Sequence, residues 1–150
     1  MNIFEALSYG KGRIDEENTS SFLAYLLNPN ETHGLKDIFL KRFLTLIDNN
    51  LATDDTLQLN DILLEERFYN KEKNWCSLDI TLRLNNLSNG DIFIAIENKI
   101  NKQAFKQNQL QNEINYMCVS EEIKEYKKKK IILILPYEYD DDKISDKIKV

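Results

Sequence analysis

The 150-residue chain has little of what marks several large protein classes: four glycines, two prolines, two cysteines, one histidine and one tryptophan. No stretch is apolar for long enough to cross a bilayer, which excludes a helical membrane span. The opening MNIFEALSYGKGR lacks the apolar core of a secretory signal, so the expectation is a cytoplasmic protein. Cys76 and Cys118 have neither metal-ligand nor disulfide-framework spacing and read as reduced thiols. The single histidine, His33, has no partner at metal or catalytic spacing and reads as a turn residue before a helix. No internal repeat or low-complexity linker is visible, and the length suits one domain over 1–150 with a sizeable core. Positive charge is also short, with 20 Lys and Arg against 25 Asp and Glu and a formal net charge of −5. That excludes a surface that is basic throughout. It does not exclude a local basic groove, because phosphate contacts depend on where the lysines sit.

What is present is periodic. The spacing predicts a helix over DEENTSSFLAYLLNPN, with Asp15 or Asn18 as its cap and Phe22, Leu23, Leu26 and Leu27 as its apolar stripe. Asn28-Pro29-Asn30 would stop it. A second helix is predicted over LKDIFLKRFLTLID, with Leu35, Phe39, Phe43, Leu46 and Ile47 on a helical period. NNLATDDTLQLND reads as a polar loop. Strands follow at 62–69, at 77–84 and over DIFIAIE. In the second of these Leu78, Ile80, Leu82 and Leu84 alternate with Asp79, Thr81 and Arg83. NNLSNG supplies turn chemistry between the second and third strands. A helix is predicted from Asn101 to Tyr126, with Phe105, Leu110, Ile114, Met117 and Cys118 buried, and KKIILILP at 129–136 is an apolar run of central-strand type. A strand, a long helix and another strand make a crossover, which places the last strand parallel to the third. The fold class is therefore α/β: N-terminal helices, then a mixed sheet of an antiparallel meander and a parallel strand.

The apolar strand ends in IAIENKI. Glu97 and Lys99 are two apart and share a face, so they form either a structural ion pair or a site. A turn centred near Leu87 or Ser88 puts Asp79 across from Ile96 or Glu97. In the second register the two carboxylates sit with Cβ atoms about 5 Å apart. Like charges facing each other in a sheet need compensation, and a divalent cation compensates well, since Mg²⁺ binds through one or two carboxylates with water and phosphate. The plainer readings are a solvated strand aspartate and a Glu–Lys surface pair of little energetic weight.

Asp79 and, 18 positions on, Glu97-Asn98-Lys99 resemble the signature of the PD-(D/E)xK nucleases, a carboxylate followed by E-x-K on the next strand. EENTSSFLAYLLNPNETHGLKDIFLKRFL is similar to the N-terminal helical segment of a bacterial and phage branch of that superfamily. ENKINKQAFKQNQLQNEINY resembles the same branch's strand end and following helix, and the likeness covers roughly residues 15 to 136. The resemblance implies a restriction-endonuclease-like core and a metal-dependent phosphodiesterase, with DNA favoured over RNA as substrate. It implies that Asp79 and Glu97 bind Mg²⁺ or Mn²⁺, with the Asn98 carbonyl completing the site, and that Lys99 orients water and stabilises charge at phosphorus. Glu17 matches an acidic position on the first helix, or is a first-turn glutamate favoured by the helix dipole. Gln109 matches a glutamine on the crossover helix that touches the site or substrate, or is surface.

The chain also departs from the family pattern. Leu78 precedes Asp79 where proline is common, Ser77 stands where arginine is frequent, and the tyrosine that usually follows Q-L closely is farther away, at Tyr116. Relatives continue with further helix and strand, so the expectation is a short member or a fragment. They serve in restriction, repair and phage defence, and many pair as homodimers or with a partner subunit. The rival expectation is a catalytically inactive nuclease-fold module that binds nucleic acid or protein. YKKKK, from Tyr126, reads as a solvated loop or a phosphate contact, and Tyr69 and Trp75 read as packing residues or base-stacking ones.

Overall fold

The computed structural model describes residues 15–69, 74–99 and 107–135. Among these, three helices come first: α1 (Glu16–Leu27), α2 (Ile38–Ile47) and the short α3 (Asn49–Ala52). Strands β1 (Leu57–Tyr69), β2 (Trp75–Asn86), β3 (Ile92–Asn98) and β4 (Lys128–Ile134) form one sheet in that order. Helix α4 (Gln107–Val119) and a 3-10 turn (Glu121–Ile123) lie between β3 and β4. Neighbours β1–β2 and β2–β3 are antiparallel, and β3–β4 is parallel. The α/β fold with a mixed sheet is as the sequence predicts.

Of the two candidate caps for α1, Asp15 takes the role, its carboxylate accepting from the Asn18 N–H at 3.0 Å. His33 is a turn residue. Its Nδ1 accepts from the Leu35 N–H at 2.9 Å, which leaves the proton on Nε2 to donate to the Asn28 carbonyl at 2.9 Å.

The sheet is apolar on both faces, as a β3 buried along its whole length requires. Ile92, Ile94 and Ile96 pack with Ala24, Leu27, Leu40, Leu44 and Leu51 of the first three helices. Phe93 and Ala95 point the other way, into a cluster with Phe68, Leu78, Met117 and Ile123. Leu78 is the surprise. It shares a predicted face with Ile80, Leu82 and Leu84, yet those three pack with the first helices and Leu78 does not. The switch falls where the β1–β2 ladder is interrupted: Leu64 pairs with Ile80 and Glu66 with Leu78 in one register, while Glu65 and Asp79 between them are unpaired. Glu65 also has a φ of 51°, a left-handed conformation costly for a side-chain-bearing residue. The alternation breaks at Asp79, and a break of period is invisible to a rule that assumes the period.

Several boundaries differ from the sequence reading. Part of the predicted polar loop is ordered: Asp48 caps α3 by accepting from the Asn50 N–H at 3.1 Å, and β1 already begins at Leu57. On α2 the buried residues are Leu40 and Leu44, while Leu46 is 85% exposed and Leu35 precedes the helix. The predicted helix to Tyr126 ends at Val119, because Ser120 caps the 3-10 turn by accepting from the Glu122 N–H. Leu110, Ile114 and Met117 are buried as expected, Cys118 is exposed, and Phe105 lies outside the described residues.

The hairpin turn between β2 and β3 sets the register that the site depends on. Asn86, 3% exposed, accepts from the N–H groups of Ser88 and Asn89 at 3.0 and 2.8 Å and donates its amide to Asp54 at 2.9 Å. Gly90 completes the turn at a φ of 82°, and an added Cβ would lie 2.7 Å from the Lys127 Cδ. A Gly90→Ala variant is expected to lose about 1 to 2 kcal/mol from the left-handed backbone alone, measurable as a lower denaturation midpoint. Unchanged stability would mean the turn relaxes.

Candidate active site at the end of the third strand

Pairing of Ile80 with Ile96 and Thr81 with Ala95, continued by one step, sets Asp79 across from Glu97. This is the register with both carboxylates on one face. Asp79 does not continue the main-chain ladder; its Oδ2 accepts from the Asn98 N–H at 2.7 Å. The side chain thus takes the place of a backbone acceptor and is held at the end of β3. Burial pushes the Asp79 carboxyl above its usual range, against the opposing pull of the Asn98 N–H and of Lys99.

Alternation along the end of β3 distributes its three polar residues. Glu97 continues the Phe93–Ala95 face toward α4, and Asn98 turns to α1, its amide donating to the Ser20 Oγ at 3.4 Å. The Lys99 N–H donates to the Ile134 carbonyl of β4 at 2.9 Å, which fixes its backbone. Its Nζ lies 2.6 Å from Glu97 Oε1 and 3.7 Å from Glu16 Oε2. Glu97 and Lys99 are 2% and 8% exposed, so the pair is buried and is not the surface pair of the plainer reading. Burial pushes the Glu97 pKa up to about 7, Lys99 opposing it and the charges of Glu113 and Asp79 reinforcing it. Burial also pulls on the Lys99 ammonium, but the hydrogen bond and charge of Glu97, with Asp79 and Glu16, outweigh it and the net shift is upward. The lysine is charged at neutral pH.

Not every expected residue arrives. Glu17 is exposed, and α1 presents its neighbour Glu16 to Lys99 instead. Gln109 does reach in, donating from Nε2 to Glu113 Oε1 at 2.8 Å and approaching Glu97 Oε1 at 3.5 Å. Glu113 is the residue that the sequence reading missed. It is 2% exposed, and burial raises its pKa. A signal for it existed: it stands with Leu110, Ile114 and Met117 at helical spacing, a charged residue inside a buried stripe. Cys76 lies on the same side, its thiol pushed up to about 11 by burial and by Glu113 and Glu97, which keeps it protonated and unreactive. Trp75 and Tyr69 are cross-strand partners, both about half exposed, and the Arg67 guanidinium sits 4.5 Å over the Trp75 ring. Lys128, Lys129 and Lys130 open β4 and are not a loop.

One observation bears on a cation. Glu97 Oε2 is buried and has no hydrogen-bond partner among the described residues. An orphaned carboxylate oxygen in a buried position is costly unless something absent from the protein completes it. Among the described residues no three His, Cys, Asp or Glu side chains are grouped as the ligands of one ion. Mg²⁺ ordinarily needs only one or two carboxylates, with water filling the rest, so Asp79 and Glu97 fit such an ion. Among the described residues no helix is long and apolar enough to cross a membrane.

No curated protein and no solved structure matches the chain. A family model does, over residues 1–149, and by that match the chain belongs to the PD-(D/E)XK nuclease superfamily.

Proposed function

We propose that the protein hydrolyses phosphodiester bonds, with DNA as its substrate, using Mg²⁺ or Mn²⁺ held by Asp79, Glu97 and the Asn98 carbonyl. The observation that carries this reading is the buried Glu97–Lys99 pair beside Asp79, with one Glu97 oxygen unpartnered. A bound divalent cation would supply Lewis-acid polarisation of a phosphoryl oxygen and a lower pKa for attacking water. Lys99 places a fixed positive charge where negative charge develops on the non-bridging oxygens, preorganised by Glu97 and by its backbone bond to β4. Glu16 adds a second acidic contact to the ammonium and takes the helix position expected of Glu17. Gln109, touching both Glu97 and Glu113, orients the Glu97 carboxylate from the α4 side.

The reading is tested by incubating the protein with supercoiled, linear and single-stranded DNA and with RNA, in Mg²⁺, Mn²⁺ or EDTA. The expected result is cleavage of DNA with either metal and none in EDTA. Cleavage of RNA alone would reassign the substrate. Metal binding without cleavage of any substrate would favour a nuclease-fold module that binds but does not turn over.

A further inference from the structure

We propose that Glu113 is a cation-binding residue of this site: a divalent cation is held between the free oxygens of Glu113 and Glu97, on the α4 side of the strand end. The inference rests on the metal-dependent reading above and adds to it a ligand from the crossover helix; the ion would draw Glu113 toward Asp79 and Glu97, since no three such side chains are grouped among the described residues.

The two glutamates are alike in an unusual way. Each is 2% exposed, each spends Oε1 on a protein donor, and each leaves Oε2 buried with no hydrogen-bond partner among the described residues. Glu97 Oε1 takes the Lys99 ammonium at 2.6 Å, and Glu113 Oε1 takes the Gln109 amide at 2.8 Å. The Gln109 amide also stands 3.5 Å from Glu97 Oε1, so one side chain touches both carboxylates and holds them as neighbours. Glu113 raises the pKa of Glu97 by its charge, and Lys99 lowers that of Glu113, which places all three within electrostatic reach. Lys99 is one charge facing four carboxylates, Glu97, Asp79, Glu16 and Glu113. Neighbouring buried carboxylates repel, and a lone ammonium that is already hydrogen-bonded to one of them does not compensate the others. Two carboxylates bridged by one amide, each with a free buried oxygen, are what a hard divalent cation completes. A purely structural glutamate in the Leu110–Ile114–Met117 stripe has no need of a free oxygen; an apolar residue there would pack better.

The probe is Mn²⁺ itself, with free ion measured by electron paramagnetic resonance against protein concentration. E113Q keeps the shape and the Gln109 contact and removes the charge. It is expected to bind Mn²⁺ at least tenfold more weakly than the wild type. With metal removed, the same variant is expected to melt at a higher temperature than the wild type, because an uncompensated buried charge is gone. Loss of affinity with a gain in metal-free stability is a combination that a structural role does not produce. E113D retracts the carboxylate by one methylene and keeps its charge; it should also weaken binding, and it decides the matter should E113Q not fold. Mn²⁺ affinity within twofold of wild type in the folded variants would overturn the assignment. If D79A loses Mn²⁺ binding in that case, the metal-dependent reading survives and only Glu113 is removed from it. If the wild type binds no Mn²⁺, both fall together. Binding by the wild type that depends on Glu113, without cleavage of any nucleic acid, would leave the assignment standing and remove the nuclease reading.

Discussion

Lys99→Ala is expected to lower the rate of metal-dependent cleavage by about 10² to 10³-fold, the usual effect of removing one preorganised charge from a transition state. Lys99 is positioned from three directions. Its N–H bonds the Ile134 carbonyl of β4, its ammonium takes Glu97 at 2.6 Å, and Glu16 of α1 approaches at 3.7 Å. A lysine held in this way gives up little freedom when substrate arrives, so its contribution falls on turnover more than on binding. The variant should therefore show a reduced kcat with a KM close to that of the wild type. Mn²⁺ affinity separates it from Asp79→Ala. Lys99→Ala removes a competing cation from Glu97 and should retain or strengthen Mn²⁺ binding, whereas Asp79→Ala should lose both binding and cleavage. Lys99→Arg preserves the charge but not the point geometry of an ammonium, and it should recover only part of the rate. A Lys99→Ala protein that is folded and cleaves within threefold of wild type would remove Lys99 from the chemistry and return Glu97–Lys99 to the status of a structural pair.

The juxtaposition of Asp79, Glu97 and Lys99 in the candidate site could be read from the chain because its signals are local. Asp79 and Glu97 interrupt apolar strands, and a two-residue spacing puts Glu97 and Lys99 together. The turn near Ser88 offered two registers, and the Asn86 network now selects the one that aligns the carboxylates. What could not be read depends on contacts between distant elements. Glu16 and Glu17 are equivalent in composition, and only the rotation of α1 against β3, fixed by Ser20 meeting Asn98, brings the first to Lys99 and leaves the second exposed. Glu113 was hidden by the rule that charged helix residues face water, which fails where a helix side covers a site. Leu78 was misplaced because the strand breaks its period at Asp79, at the very position where the carboxylate leaves the ladder to take the Asn98 N–H. Each of these misses falls within or beside the candidate site, where local pattern gives way to contacts between elements.

With metal removed, the protein should become less stable as pH rises from about 4.5 to about 7. Glu97 carries this expectation, since its pKa stands at 4.5 when free and is pushed up to about 7 here, first by burial and then by Glu113 and Asp79 against the opposing hydrogen bond from Lys99. An acid whose folded pKa is raised binds its proton more tightly in the folded state. Its stabilising contribution is complete below the unfolded value and is lost as pH climbs through the folded one. Glu97 alone should account for up to roughly 3 kcal/mol of that loss, at about 1.4 kcal/mol per unit, the opposing pull of Lys99 being already contained in its pKa. Glu113 and Asp79, also raised mainly by burial, act in the same direction. Lys99 is raised too, but a lysine's window opens far above this range. The lowered carboxylates Asp37, Asp48 and Asp54 have the opposite sign, and their windows lie at and below 3.8, clear of the interval tested. Urea denaturation in EDTA at pH 5 and pH 7.5 measures the difference. Glu97→Gln should flatten it, and saturating Mn²⁺ should reverse it, because a cation that binds the deprotonated carboxylates stabilises the fold most where they are ionised. Stability that rises between the two pH values in EDTA would mean that Glu97 is ionised and well compensated by Lys99 alone, and the site would then have no unmet demand for a cation.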